Sequence, residues 1–410
     1  MSSGEAVPPR CPPPHACRPM ACSTWAMFLL CAVAADEVRG RAAAAPEPSQ
    51  ARMLIGYFDA NSQLELPAAS IPFHNLTHIV LTNAVKVDNQ GALHYRSKKD
   101  PTELDVAALV RYLADLPPKL VISLRGHEDD VALDELAEVD AVRESFATNM
   151  AVLLREWNAD GLEVEWHSDD PNGGKPLSAP FDMMEQYHFA LLCRDLSSAL
   201  HAAGGKTLSV AVRPGRQEFN SSAFVQHYID WLALRAYSMR SLGDPHHSSL
   251  KDMAAALDEW TAKGVPQRQL VLGTPLFGRP GAALSTANDR NEALRLSWRD
   301  LAGSHLHSPP RGDRRGDVFA DVRTGKTWWV SGLNTTRAKV RHIFEGGYGG
   351  IALRDLHLDA RENGLSLVRA ASEALRESSR QRHRLVRPVS LFQRAVTQSR
   401  TGGAQKQDEL

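Results

Sequence analysis

Between residues 51 and 377 the apolar positions follow two rhythms that take turns. Short apolar runs predict strands at Met53 to Asp59, His78 to Val85, Lys119 to Leu124, Asp160 to His167, Leu208 to Val212, Asp230 to Tyr237, Leu270 to Leu276 and Gly350 to Leu353. Longer segments with a helical period lie between or after them. One is bounded by Asp100, a candidate N-cap with Pro101 at the first helical position, and by Pro117. Others are Val131 to Trp157, Asp182 to Ala203 before the stop Gly204-Gly205, Leu250 to Lys263, Arg337 to Glu345, and Arg361 to Arg376. Eight strands alternating with helices predict parallel crossovers, hence an α/β chain folded as a (β/α)8 TIM barrel. The order is interrupted once, between Pro280 and Gly332.

With 410 residues, 43% of them hydrophobic, the chain can bury a large core. A formal net charge of −1 leaves no footprint of a nucleic-acid partner. The apolar run Trp25 to Ala35 is too short to span a bilayer. Preceded by Arg18 and ended by small residues, it reads as a cleaved secretory signal, although Met20 offers a second start and the initiator stays open. Four of the five cysteines, Cys11, Cys17, Cys22 and Cys31, fall in this leader, so only Cys193 survives cleavage and no internal disulfide is expected. The last residues, Gln407-Asp408-Glu409-Leu410, resemble an endoplasmic-reticulum retrieval signal, which implies a retrieval receptor as partner and a lumenal location. Asn75-Leu-Thr, Asn220-Ser-Ser and Asn334-Thr-Thr are glycan acceptor sequons. The expected organisation is a leader (1–35), a linker (36–50), a barrel (51–377) with an insertion at 281–332, and a flexible basic tail (378–410).

The chemistry concentrates in Asp160-Gly-Leu-Glu-Val-Glu-Trp-His167. On a strand, Glu163, Glu165 and His167 share one face while Leu162, Val164 and Trp166 share the other, so three ionisable groups project together.

This segment resembles the Asp-Gly-x-Asp-x-Asp-x-Glu signature of glycoside hydrolase family 18, the chitinase family. Asp160 and Gly161 are kept, Glu163 and Glu165 stand at the later Asp positions, and His167 stands where the family has its catalytic Glu. The resemblance implies that this Glu protonates the glycosidic oxygen while the substrate's acetamido carbonyl attacks the anomeric carbon, an exception to the two-carboxylate scheme. It extends through Lys119 to Gly126, through Gly264 to Arg279, and through Gly349 to Asp359. It also implies that residues 281–332, with Trp328 and Trp329, form a small insertion domain between barrel strands 7 and 8 that walls a sugar cleft.

Against the family pattern, Arg235-Ala-Tyr237-Ser keeps the tyrosine but loses the Met and Asp, Arg354 replaces the tryptophan on which the sugar stacks, Arg125 replaces a Gly, and Thr82-Asn83 replaces an Ala-Phe pair. Glu163, Glu165, Arg125, Arg235 and Arg354 are expected at the barrel mouth as mutually neutralising pairs; the alternative is a site for an anionic ligand that uses a surplus arginine. His167 beside Glu165 should hold its proton near neutrality, but its reach is shorter than that of Glu. The degenerate positions Glu163, Glu165, His167 and Tyr237, with Arg235, Arg354, Trp328 and Trp329 as candidate substrate contacts, therefore point to a chitinase-like protein of the endoplasmic reticulum lumen. It is expected to be catalytically inactive and to bind carbohydrate containing N-acetylglucosamine. An active chitinase or endo-β-N-acetylglucosaminidase, or a lumenal scaffold with a sealed site, are the alternatives. His127-Glu-Asp-Asp130 and His246-His247 read as solvated turns, and no metal or cofactor is expected.

Overall fold

The computed structural model describes residues 52–64, 67–88, 90–95, 105–125, 133–165, 183–212, 214, 226–237, 246–280, 295–303, 317–320 and 327–382. Within them, β1 (Met53–Asp59), β2 (His78–Thr82), a β3 (Val85–Val87) and β4 (Leu93–Tyr95) ribbon, β5 (Lys119–Arg125), β6 (Gly161–Glu165), β7 (Thr207–Val212), β8 (Trp231–Leu234) and β9 (Leu270–Pro275) follow in order. After them come β10 (Phe277–Pro280), β11 (Leu296–Ser297), β12 (Val318–Ala320), β13 (Thr327–Trp329) and β14 (Gly350–Arg354). Eight of these strands close a barrel in the order β1-β14-β9-β8-β7-β6-β5-β2, with parallel pairing throughout. The predicted (β/α)8 architecture is the observed one.

Strand parity divides the core in two. Ile55, Tyr57, Val80, Val121, Ala211, Trp231, Ala233, Val271 and Ala352 fill the barrel lumen. Their neighbours Leu54, Phe58, Leu81, Leu120, Ile122, Leu162 and Val164 face outward into the layer packed under the helices. Both faces of each strand are covered, which is why the strands read as nearly continuous apolar runs. β10, β11, β12 and β13 form a separate four-stranded sheet in the order β11-β10-β13-β12, inserted between the seventh and eighth barrel strands.

Several predicted boundaries move. The helix α1 (Val106–Ala114) is capped by Asp105, whose side chain accepts from Ala108 N, rather than by Asp100, which with Pro101 lies outside the described residues. The single long helix expected from Val131 to Trp157 is two, α2 (Leu133–Glu138) and α3 (Asp140–Glu156), separated by Val139 in an extended conformation. Arg143, 2% exposed, stabilises the break: it donates to the freed carbonyl of Ala137 at 2.8 Å and pairs with Asp140 and with Asp195 on α4 (Met183–Ala202). Such a side-chain bridge has no periodic signature. The second strand stops at Thr82, not Val85, because Asn83 takes a left-handed backbone (φ 58) that turns the chain out of the barrel. The sixth predicted strand likewise ends at Leu234 rather than Tyr237.

Further along the chain lie helices α5 (Leu250–Ala262), α6 (Trp298–Gly303), α7 (Leu333–Glu345) and α8 (367–382). The last begins six residues after Arg361, because Asp359 accepts from Leu367 N and Val368 N and so fixes the first turn further along the chain. No described helix is long and apolar enough to cross a membrane.

Candidate functional site

In a parallel barrel the inward residues at the carboxyl ends of the strands meet at one mouth. There β1 supplies Tyr57, β5 Ser123, β6 Glu163 and Glu165, and β14 Arg354, while the segment leaving β8 supplies Arg235 and Tyr237. Register holds β6 in place. Asp160, just before it, accepts from Leu120 N at 2.8 Å, and Asp230, just before β8, accepts from Leu208 N at 2.9 Å. The first Asp of the signature-like stretch is thus a backbone staple between barrel strands.

The two glutamates have different partners. Tyr57 Oη donates to Glu163 Oε2 at 2.8 Å and Ser123 Oγ to Oε1 at 3.2 Å. Glu163 is fully buried. Burial lifts its pKa to about 7, with the neighbouring Glu165 charge adding to the rise and the two hydroxyl donors opposing it. Glu165, 1% exposed, is instead held by arginine: Nη1 of Arg235 pairs with Oε1, and Nη1 of Arg354 lies 3.8 Å from Oε2. Arg354 also reaches Asp355 at 3.2 Å. Burial works against its charge, but Asp355 and Glu165 outweigh that and hold its pKa well above the ordinary value.

The expected charge network therefore exists in part. Glu165, Arg235 and Arg354 come together, whereas Glu163 is satisfied by hydroxyls, a partnership the alternation of acidic residues could not disclose. Tyr57, Ser123 and Asp355 were missed. Tyr57 was findable, because it is the polar inward position of β1 and lies at the same mouth as the inward glutamates. Among the linked charges, the guanidinium groups of Arg235 and Arg354 face the carboxylates of Glu165 and Asp355, and the third candidate arginine, Arg125, has its side chain outside the described residues.

Arg354 also fills space. Its guanidinium lies 5.5 Å from the ring centres of both Tyr57 and Tyr237, and that of Arg235 lies 5.9 Å from Tyr237. The Tyr237 hydroxyl is buried with no hydrogen-bond partner among the described residues, and burial raises its pKa to about 12 against the pull of the two arginines. A neutral phenol O–H is thus held at the mouth, able to donate and to accept.

Trp328 and Trp329 are adjacent on β13 and so face opposite sides of the small sheet. Trp328 packs with the main apolar core, while the Trp329 ring meets His246 edge-on at 5.7 Å, so the pair does not line one common groove. His247 is buried between Phe277 and His246, with ring nitrogens 2.8 Å from Tyr237 O and 3.1 Å from Trp329 O. Burial drives its pKa down to about 3. His246 and His247 thus join the loop after β8 to the inserted sheet and are not a solvated turn. His167 and Trp166, like 126–130 and the side chain of Arg125, lie outside the described residues. No cluster of three or more His, Cys, Asp or Glu suited to a metal is assembled among the described residues.

Comparison with known proteins gives a consistent picture. The family described as Glycosyl hydrolases family 18 matches residues 53–359. The chain is 23% identical over 304 residues to "Probable chitinase 10" of Drosophila melanogaster, covering 63% of this chain and 13% of that protein. It is 22% identical over 293 residues to "Endochitinase 1" of Metarhizium anisopliae, covering 63% and 65%. Among solved structures, the GH18 chitinase from Cycas revoluta in complex with (GlcNAc)3 superposes with a TM-score of 0.61 at 19% identity, covering 78% of this chain and 99% of that one.

Proposed function

The chain belongs to glycosyl hydrolase family 18, and from that premise we propose that it is a chitinase-like protein that binds carbohydrate containing N-acetylglucosamine without hydrolysing it. One observation carries the reading: Glu165, the surviving carboxylate at the position that in the family orients the acetamido group, is clamped by Arg235 and Arg354. A carboxylate neutralised by two guanidinium groups is a poor partner for the positive charge that develops at the reacting centre. The sequence agrees, since His167 stands where the family has its proton donor.

Binding is a separate matter from turnover. The hydroxyls of Tyr237 and Thr82 have no hydrogen-bond partners among the described residues, and uncharged donor–acceptor groups of this kind suit a neutral, hydroxyl-rich ligand. A second reading rests on Arg354 between Tyr57 and Tyr237, where it occupies the volume a stacked sugar would need and favours a sealed barrel acting as a scaffold. We place the protein in the endoplasmic reticulum lumen on the strength of the apolar run Trp25 to Ala35 and the tetrapeptide Gln407 to Leu410.

The test pairs two assays on the purified chain. Fluorophore release from di- and tri-N-acetylchitooligosaccharide conjugates should be absent from about pH 4 to 8. Calorimetric titration with chitotriose should show binding that Tyr237→Phe weakens about five- to tenfold. Turnover that vanishes in Glu165→Gln would make the protein an active glycosidase, and silence in both assays would favour the sealed scaffold.

A further inference from the structure

Away from the mouth, on the outer side of β1, a cavity of about 240 Å³ opens between the segment that leads into β2 and the segment that follows β14. Ser70 and His74 line it from one side, and Asp359, Arg361, Ser366 and Arg369 from the other. The hydrogen-bond accounts of these groups define what the cavity can accept.

Asp359 is already spent. Its carboxylate accepts from Ala360 N, Leu367 N, Val368 N and the Ser366 hydroxyl, and it caps α8. Four donors and the positive end of that helix offset part of its charge, while burial outweighs them and raises its pKa above the ordinary carboxylate value. Ser366 Oγ is used on both sides, donating to Asp359 and accepting from Arg369 N at 3.2 Å, whereas Ser70 Oγ donates to Pro67 O and presents its lone pairs to the cavity. The Asn75 amide nitrogen lies 3.0 Å from His74 Nε2, which makes Nε2 the acceptor and puts the ring proton on Nδ1. The guanidinium groups of Arg361 and Arg369 have no carboxylate or carbonyl partner among the described residues, the first exposed and the second half-buried. The free donors are therefore two arginines and one imidazole, and the free acceptor is the Ser70 hydroxyl oxygen.

A complementary ligand carries an acceptor-rich anionic head and, next to it, hydroxyl donors. Planar guanidinium forks match tetrahedral oxyanions in pairs, and two forks on one cavity are suited to one such group. The volume exceeds that of a bare oxyanion and leaves room for a ring. We propose that this cavity binds a sulfate or phosphate ester of a small hydroxylated molecule such as a sugar, with Arg361 and Arg369 holding the ester and Ser70 accepting from a hydroxyl. The site is independent of the barrel mouth and of its ligand.

Titration calorimetry of the full chain at low salt tests this with four probes: N-acetylglucosamine 6-sulfate, glucose 6-phosphate, inorganic sulfate and unmodified N-acetylglucosamine. The two sugar esters compared with each other distinguish sulfate from phosphate as the preferred head. At least one ester should bind, inorganic sulfate should bind more weakly, and Arg361→Gln and Arg369→Gln should each reduce ester affinity about tenfold. Arg361 is exposed, so its replacement leaves the fold intact, which an unchanged melting temperature will verify. Tyr237→Phe should leave ester binding untouched, which separates this site from the mouth. The proposal is overturned if neither ester binds, if ester affinity survives both arginine substitutions, or if inorganic sulfate binds as tightly as the esters.

Discussion

Glu163 is a carboxyl placed where its protonated form is preferred. Its folded pKa of about 7 exceeds the ordinary 4.5, so between those values the folded chain binds the proton that the unfolded chain has released. The contribution to stability is therefore largest below about pH 4.5 and is lost as the pH rises through about 7. His78 and His247, depressed by burial to about 4 and about 3, act with the opposite sign over an overlapping range, so the raw profile will not isolate the effect. The difference between variants does. Urea denaturation of Glu163→Gln should show its stability relative to the parent improving from about pH 4.5 to 7, by on the order of 3 kcal/mol; a pH-independent difference would mean that Glu163 is ionised in the fold. That two glutamates share a face was legible from their spacing in the chain. That one is hydroxyl-bound and the other arginine-bound was not, because the partners come from β1, β5, β14 and the turn after β8, brought together only by barrel closure.

The strands were legible because their apolar runs are bounded by turn residues, and the errors fall where one side chain overrides the local pattern. Arg143 breaks a helix that periodicity would have carried through Val139, and Asp359 delays another. Gly161 is the opposite case, a position whose constraint is visible in structure alone. A Cβ there would stand 2.1 Å from Thr207 Oγ1 and 2.8 Å from Thr207 O, at the place where β6 and β7 come into register. Gly161→Ala should cost about 2 kcal/mol or more in urea denaturation. Adding Thr207→Ala should recover part of that, since the side-chain clash goes while the backbone oxygen stays. Full recovery would mean that the backbone approach carries no cost.

At the scale of the molecule, the inserted sheet and the barrel are joined by a buried polar seam. Lys339 on α7 has its Nζ bonded to Ser331 Oγ at 2.6 Å, just after β13, and to Ser248 Oγ at 3.2 Å, before α5. It is fully buried, and burial lowers its pKa from 10.5 to about 7, the nearby Asp317 resisting the drop. Between those values the unfolded chain holds the extra proton, so the contribution of Lys339 to stability rises from about pH 7 to 10.5. Lys339→Met should flatten this limb, removing a pH-dependent difference on the order of 4 kcal/mol in thermal or urea denaturation; an unchanged slope would show the amine charged throughout. The ring order of the barrel has a consequence for how the protein is made. β14 closes the gap between β1 and β9, yet it is the last barrel strand to be synthesised. At ordinary ribosomal speeds β1 waits roughly 15 to 60 s for that neighbour. During that wait its free backbone groups are open to any other extended peptide. The nascent chain spends its most vulnerable interval as an unfinished ring, and a helper that shields a lone strand edge would act on this protein late in translation.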